Sequence, residues 1–293
     1  MVGDQSLMGY SKKPKLISSK FTGKVYNNRA KPDKTISNKK ENYLVTPRFP
    51  KQPYTIDYTI LNRFKMKYLS SLDLSYFRGQ PCFIIGAGPS MIDFDYSLLK
   101  DKLTIGVNKV FTKYYCTINY SMDARFHDYY NYDIVNHPED KKDMLLWQNY
   151  TGIKACIDLA NKNFYFAPDV YVIKCLMKRY ISLNIEEGIF KGDNSGFGAM
   201  MLAISLGSNP IYLLGIDCKT TKGNPRQYSR YLWDTKDNDK LNGHMQRNVT
   251  KFKGNFERFA PSLKKAGIEV INLGPDSALE CFPKQDYKSI LCK

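Results

Sequence analysis

Residues 86–90, Gly-Ala-Gly-Pro-Ser, have the types and spacing of a phosphate-binding turn. An apolar run at 82–85 precedes them and an amphipathic stretch at 91–99 follows, which predicts a strand, a tight turn and a helix. Glycines let backbone N–H groups approach an anion, Pro89 needs no hydrogen-bond donor in a first helical turn, and a helix N-terminus carries partial positive charge. A purely structural glycine-rich turn is the alternative, so the pattern favours a phosphate or nucleotide ligand without requiring one.

Strands and helices alternate along the chain, and their order predicts where polar residues meet. Apolar runs predict strands at 82–85, 103–107, 116–122, 211–216 and 268–273, and helices at 59–72, 197–206 and around 243–263. This alternation predicts an α/β fold with a Rossmann-like, doubly wound, mainly parallel sheet. Ligands bind outside the carboxyl ends of such strands. Besides the turn at 86–90, the polar residues expected there are Asn108, Asp123, Asp217, Asp276 and Ser277.

Asp217 and Ser195 each allow two interpretations. Asp217 ends the most apolar strand and is either a ligand for a sugar hydroxyl or a metal, or a cap for the neighbouring loop. Ser195 could be a nucleophile, but its surroundings do not match the GxSxG pattern. The segment 194–196, Asn-Ser-Gly, is instead typical of a capping turn whose exposed donors meet phosphate or sugar hydroxyls.

His244 lies at the start of the helix predicted before the last strand. The buried stripe of that helix is formed by apolar residues spaced four and three apart: Met245, Val249, Phe252, Phe256 and Phe259. His244 is therefore turned away from the stripe, among basic neighbours, either as a surface residue or facing an anionic ligand. His137 lies in the aromatic segment 128–192 and His127 directly precedes it. Neither has basic neighbours like those of His244, and both are expected to be structural.

The net charge of +16 is concentrated at the N-terminus of the 293-residue chain. Residues 1–54 hold ten lysines and two arginines against three acidic residues, a net +9, which predicts an extended or disordered basic arm before a domain at 55–293. The arm is either a solvated tail, a docking segment for a protein, or a tether to nucleic acid or an anionic membrane. Seven scattered cysteines without CxxC spacing and no long apolar run predict a reduced, cytoplasmic protein without a transmembrane segment.

Five fragments, in order, resemble a Rossmann-like superfamily. It contains bacterial lipooligosaccharide sialyltransferases, flagellin-glycosylation accessory proteins, 6-hydroxymethylpterin diphosphokinases and phage-encoded relatives. The fragments lie at 84–91, 105–111, 194–217, 243–245 and 271–282. The resemblance implies a host cytoplasm or virion location if the chain is phage-encoded. By this resemblance, the nucleotide contacts fall on Gly86, Gly88, Pro89, Ser90, Asn108, Ser195 and Gly196, and His244 is the general base.

The resemblance implies a nucleotide-sugar-dependent glycosyltransferase. The reaction would be displacement at the anomeric carbon, with the N–H groups of Ser90 and Ser195 stabilising the leaving phosphate. One alternative is diphosphokinase-like pyrophosphate transfer from ATP, with Mg²⁺ held by Asp123 and Asp217. Another is a non-catalytic phage structural or DNA-associated protein that uses its basic arm. Ala87, Gly192 and the pair at 218–219 depart from the sialyltransferase pattern, so the donor sugar stays open.

Overall fold

The computed structural model describes residues 67–292, except 124–125, 128–129, 131–140, 158–168 and 220–237; for 238–250 it describes the helical backbone alone. The strands are β1 (Lys67–Tyr68), β2 (Cys82–Ile85), β3 (Leu103–Val107), β4 (Ile118–Ser121), β5 (Ile153–Ile157), β6 (Val170–Ile173), β7 (Ile211–Leu214) and β8 (Val270–Asn272). The α-helices are α1 (Lys141–Gln148), α2 (Ser195–Ser205), α3 (Asn238–Lys265) and α4 (Lys288–Leu291). Short 3₁₀ helices span Leu69–Ser71, Ser75–Phe77, Pro89–Met91, Tyr96–Leu99 and Asn108–Thr112.

The eight strands form one sheet in the order β1-β6-β5-β4-β3-β2-β7-β8, and every pair is parallel. From β2 the chain moves outward through β3 and β4 in one direction, then returns through α2 to β7 on the other side of β2. The predicted α/β fold with a doubly wound parallel sheet is therefore confirmed. The connections diverge beyond the carboxyl ends of β2 and β7, which is where this class of sheet places its ligands.

Alternating side chains of the central strands supply two separate cores. Ile84 joins a core with α2 and α3 on one face, whereas Phe83 and Ile85 join a core with Leu99 and Leu291 on the other. Every residue of α2 is buried, because this helix crosses behind β2, β3, β4 and β7. Of the predicted stripe of α3, Phe256 and Phe259 are buried and Phe252 is half-buried.

Two predicted helices are wrong where the structure describes them. The stretch 91–99 contains the last residue of one 3₁₀ helix and all of a second, Tyr96–Leu99, rather than an α-helix. The Asp95 carboxylate accepts from the Ser97 N–H at 2.9 Å and starts the second 3₁₀ helix. The C-terminal part of the stretch 59–72 contains β1 and a 3₁₀ turn. The irregular aromatic region, for which the sequence predicted no element, supplies α1, β5 and β6.

Two other expectations concern the chain as a whole. All seven cysteines carry free thiols. None of the helices in the described ranges has both the length and the apolar character needed to cross a membrane. The basic arm, residues 1–54, lies outside the described residues and stays a prediction.

Candidate functional site

The glycine-rich turn after β2 is bonded to the end of β7. The Gly86 N–H donates to the Leu214 carbonyl at 2.7 Å, and the Gly88 N–H donates to the Gly215 carbonyl at 2.9 Å. The Ser90 N–H donates to Oδ2 of Asp217 at 2.9 Å. Since proline has no N–H, the turn keeps few donors for a phosphate, and the Ser90 N–H expected to stabilise a leaving group is already engaged.

Close packing against β7 explains why the turn contains glycines. A Cβ at Gly86 would lie 2.4 Å from the Gly215 carbonyl oxygen. A Cβ at Gly88 would lie 2.3 Å from Oδ2 of Asp217 and 2.6 Å from the Gly215 oxygen. The turn after β2 is followed by 3₁₀ turns and not by an α-helix, so it also lacks the helix dipole expected from the sequence.

Asp217 caps this turn. Its side chain is buried, and its Oδ1 accepts from the Ser90 hydroxyl at 2.6 Å in addition to the N–H contact of the same serine. The closing segment is tied to the same place, because the Ser277 hydroxyl donates to the Ile216 carbonyl at 2.8 Å and is itself buried. Asp276 is exposed beside it. Asp217 and Ser277 thus hold three strand ends together.

Asn108 and Ser195 meet at the ends of β3 and β4. The Ser195 Oγ accepts from the Met122 N–H at 3.3 Å and donates to Oδ1 of Asn108 at 3.4 Å. Asn108 has a left-handed backbone, with φ of 54°, and its carbonyl accepts from Asn119 Nδ2 at 3.0 Å. Asp123 follows Met122 directly, and its N–H donates to the Ser121 hydroxyl at 3.2 Å. The structure therefore brings Asn108, Asp123 and Ser195 into one neighbourhood.

The N-terminus of α2 opens on this neighbourhood. Asn194 is the N-cap: its side chain accepts from the Phe197 N–H at 2.8 Å, and its carbonyl accepts from the Gly198 N–H at 3.1 Å. The N–H groups of Ser195 and Gly196 have no acceptor in the part of the chain that the structure describes. These two donors, at the positive end of a buried helix, can bind an anion.

Gly196 also lies beside the glycine-rich turn. A Cβ at Gly196 would lie 2.9 Å from Cδ1 of Ile216, and a Cβ at Gly86 would lie 2.6 Å from the same atom. The Ile216 side chain thus separates the start of α2 from the turn after β2. The predicted residues from β2, β3, β4, β7 and α2 consequently share one edge of the sheet.

His244 lies on α3, which begins at Asn238 rather than near Gly243 as expected. Its side chain lies outside the described residues, so its role as general base stays a prediction. Further along α3, Asn255 Nδ2 donates to Oδ2 of Asp193 at 2.9 Å, which fastens the helix to the residues preceding α2. Sequence patterns gave no signal for that contact, because both residues look like ordinary polar surface positions.

The described residues hold no group of three or more His, Cys, Asp or Glu side chains that could bind a metal ion. Both oxygens of Asp217, one of the two proposed Mg²⁺ ligands, accept hydrogen bonds from Ser90.

No protein-family model and no curated protein sequence matches the chain. Among solved structures, it is similar to the sialyltransferase CST-II in complex with a trisaccharide acceptor and CMP, with 20% identity and a TM-score of 0.41 over 70% of this chain and 85% of that one. It is also similar to CstII from Campylobacter jejuni in complex with cytidine-5'-monophosphate, with 18% identity and a TM-score of 0.39 over 71% of this chain and 85% of that one. Its similarity to the MAf glycosyltransferase from Magnetospirillum magneticum AMB-1 has 15% identity and a TM-score of 0.44, over 72% of this chain and 34% of that one.

Two of these neighbours are sialyltransferases, a class already named from the five sequence fragments, and the third is a glycosyltransferase. Identities and TM-scores at this level assign no activity.

Proposed function

We propose that the chain is a nucleotide-sugar-dependent glycosyltransferase that holds its nucleotide at the N-terminus of α2. The observation that carries the proposal is the pair of N–H groups of Ser195 and Gly196. They lack acceptors within the described part of the chain and lie beside Asn108. The order of the sequence fragments supports the same reaction class.

The phosphates accept from these two N–H groups, and the α2 dipole adds a favourable field. Asn108 is the polar side chain next to them, and its amide can both donate to and accept from the nucleoside. The glycine-rich turn has a supporting role, since Asp217 and Gly215 already take its donors. His244 is the proposed base toward the acceptor hydroxyl, by resemblance alone.

The donor in this proposal is not a sialic acid. The sialyltransferase pattern has an arginine that reads the sialic acid carboxylate at the position of Gly192. Here Gly192 has a φ of 64°, and a Cβ would lie 2.4 Å from Cδ1 of Phe197. A side chain at this position would strain the turn that leads into α2.

A ligand screen tests the proposal. The melting temperature of the full chain is measured with CMP, UDP, GDP and ATP, each with and without Mg²⁺. Binding to the folded state alone stabilises a protein by about 2.7 kcal/mol at a hundredfold excess over Kd. We expect one nucleotide to stabilise the chain without Mg²⁺. Stabilisation by ATP only in the presence of Mg²⁺ would favour pyrophosphate transfer, and no stabilisation by any of the four would contradict nucleotide binding.

The role of His244 is tested separately. With the nucleotide sugar that the screen identifies, His244→Ala should lower kcat by about 10² to 10⁴, with little change in nucleotide affinity. His137→Ala is the matched control and should retain kcat. Unchanged turnover with a lower melting temperature in His244→Ala would make this histidine structural.

A further inference from the structure

The loop between β6 and α2 presents large apolar side chains to solvent. Met177 is 87% exposed, Leu183 is 66% exposed and Tyr180 is 40% exposed. Lys178 and Arg179 stand between them and are exposed as well. No acidic residue occurs from 177 to 183. Apolar groups in such a cluster mark an interaction surface more often than single exposed residues do.

Hydrogen bonds hold this loop in a defined shape. Its two ends are joined, because the Leu176 N–H donates to the Ile189 carbonyl at 2.9 Å and the Ile189 N–H donates to the Lys174 carbonyl at 3.0 Å. Inside the loop, the Ser182 hydroxyl contacts Oε2 of Glu187 at 3.0 Å. The exposed apolar side chains therefore project from a braced loop, so little conformational entropy is lost when the loop binds a partner.

The loop lies at the same edge of the sheet as the candidate site. All strands are parallel and β6 ends at Ile173, so the chain leaves the sheet at its carboxyl edge. It returns through Gly192 and Asn194 directly into the N-terminus of α2. A partner bound by the loop would thus lie at the same edge of the sheet as the start of α2.

We propose that this loop binds the surface of an anionic membrane. Met177 and Leu183 enter the boundary between headgroups and acyl chains, and Lys178 and Arg179 contact the anionic headgroups. The aliphatic side chains favour a bilayer over nucleic acid, because single strands are bound by stacking on aromatic rings and this loop exposes one tyrosine. Two glutamates, Glu186 and Glu187, follow the apolar part of the loop, and the Glu187 carboxylate is engaged by Ser182. This proposal is independent of the proposed glycosyltransferase function.

Sedimentation of the full chain with vesicles tests the apolar contribution. The vesicles contain phosphatidylcholine with about a third phosphatidylglycerol in one series and phosphatidylcholine alone in the other. Leu183→Ser should weaken binding to the anionic vesicles about tenfold, because it removes a buried apolar side chain from the bound state. Leu145→Ser makes the same change at a 47% exposed leucine on α1 and should leave binding unchanged. Equal effects of both variants would overturn the proposal.

The charge contribution is tested with a second pair of variants. Lys178→Glu/Arg179→Glu should weaken binding to anionic vesicles more than tenfold, since each basic group near such a surface contributes about 1 kcal/mol. The control is Lys264→Glu/Lys265→Glu, an exposed pair in the last turn of α3, before β8 at the opposite edge of the sheet. Binding from the basic arm is common to all variants. Unchanged vesicle binding in the loop variant, or a loss confined to a single-stranded oligonucleotide, would contradict membrane binding.

Discussion

The contact between Ser90 and Asp217 joins two strand ends at the centre of the sheet. An amide at this position carries no charge and keeps only one oxygen acceptor, and hydrogen bonds to charged groups contribute about 1.5–3 kcal/mol. Asp217→Asn should therefore lower the unfolding free energy in urea by roughly that amount. The exposed neighbour Asp276 is the control, and Asp276→Asn should change stability by less than about 0.5 kcal/mol. Equal losses in the two variants would contradict the capping role of Asp217.

Gly88 is explained by packing, and this makes a second prediction about stability. Gly88→Ala should destabilise the fold by about 1–3 kcal/mol, because the new methyl group would overlap Asp217 and the Gly215 carbonyl. Gly254→Ala differs, because among the described residues no atom outside the adjoining helical backbone lies within 4 Å of a Cβ there, and the residue is inside α3. That variant should gain roughly 0.5–1 kcal/mol from helix propensity. Denaturant melts of both variants at one pH check the two signs.

His127 predicts a pH dependence of stability. It is fully buried, and burial lowers its pKa to about 3, whereas the unfolded chain keeps the ordinary value of 6.5. Between these two values the unfolded state binds the proton and the folded state does not, so stability falls as the pH falls from 6.5 toward 3.

The size of this effect is about 2 kcal/mol between pH 7 and pH 5. His127→Gln should remove that part of the difference in unfolding free energy. An unchanged difference in His127→Gln would show that other groups cause the pH dependence.

The positions of some site residues could be predicted from the sequence, but their contacts could not. Asn108, Ser195 and Asp217 could be placed at one edge because each follows an apolar strand or starts a helix. That Asp217 would take the donors of Ser90 could not be predicted, since the two residues are 127 positions apart and no local pattern joins them. For the same reason, the sequence could not show whether Gly86 and Gly88 make room for a ligand or for close packing against the end of β7.

At the scale of elements, apolar patterning identified the central strands and two long helices. β2 is buried throughout, β3 and β7 are buried except at Leu103 and Tyr212, and α2 and α3 have enough turns for a clear helical period. β5, β6 and α1 were missed because their neighbourhood is aromatic and irregular, so no period dominates. The stretch 91–99 has helical spacing, but Asp95 competes for the backbone and ends the pattern.

At the scale of the whole molecule, the basic arm should be separable from the sheet domain. It carries a net +9 and its apolar residues follow neither the strand nor the helix period. Deleting residues 1–54 should leave the melting transition and nucleotide binding nearly unchanged. If the arm binds nucleic acid, that association should fall steeply with added salt; association with a protein groove should depend less on salt. A truncated chain that cannot fold would contradict the domain boundary.

The central claim is that a nucleotide is bound by the N–H groups at the start of α2. Calorimetric titration with the nucleotide that stabilises the chain most tests it in two variants. Ser195→Ala removes the hydroxyl, whereas Ser195→Pro also removes the N–H at a position where proline fits, because Asn194 is extended with ψ of 154°. Ser205→Ala, at the other end of the same helix, is the control.

We expect Ser195→Pro to bind the nucleotide roughly ten- to a hundredfold more weakly than Ser195→Ala, the loss for one hydrogen bond to a charged group. Ser205→Ala should bind like the unaltered chain. Equal nucleotide affinity in Ser195→Pro and Ser195→Ala, with both variants folded, would contradict a nucleotide site at the N-terminus of α2.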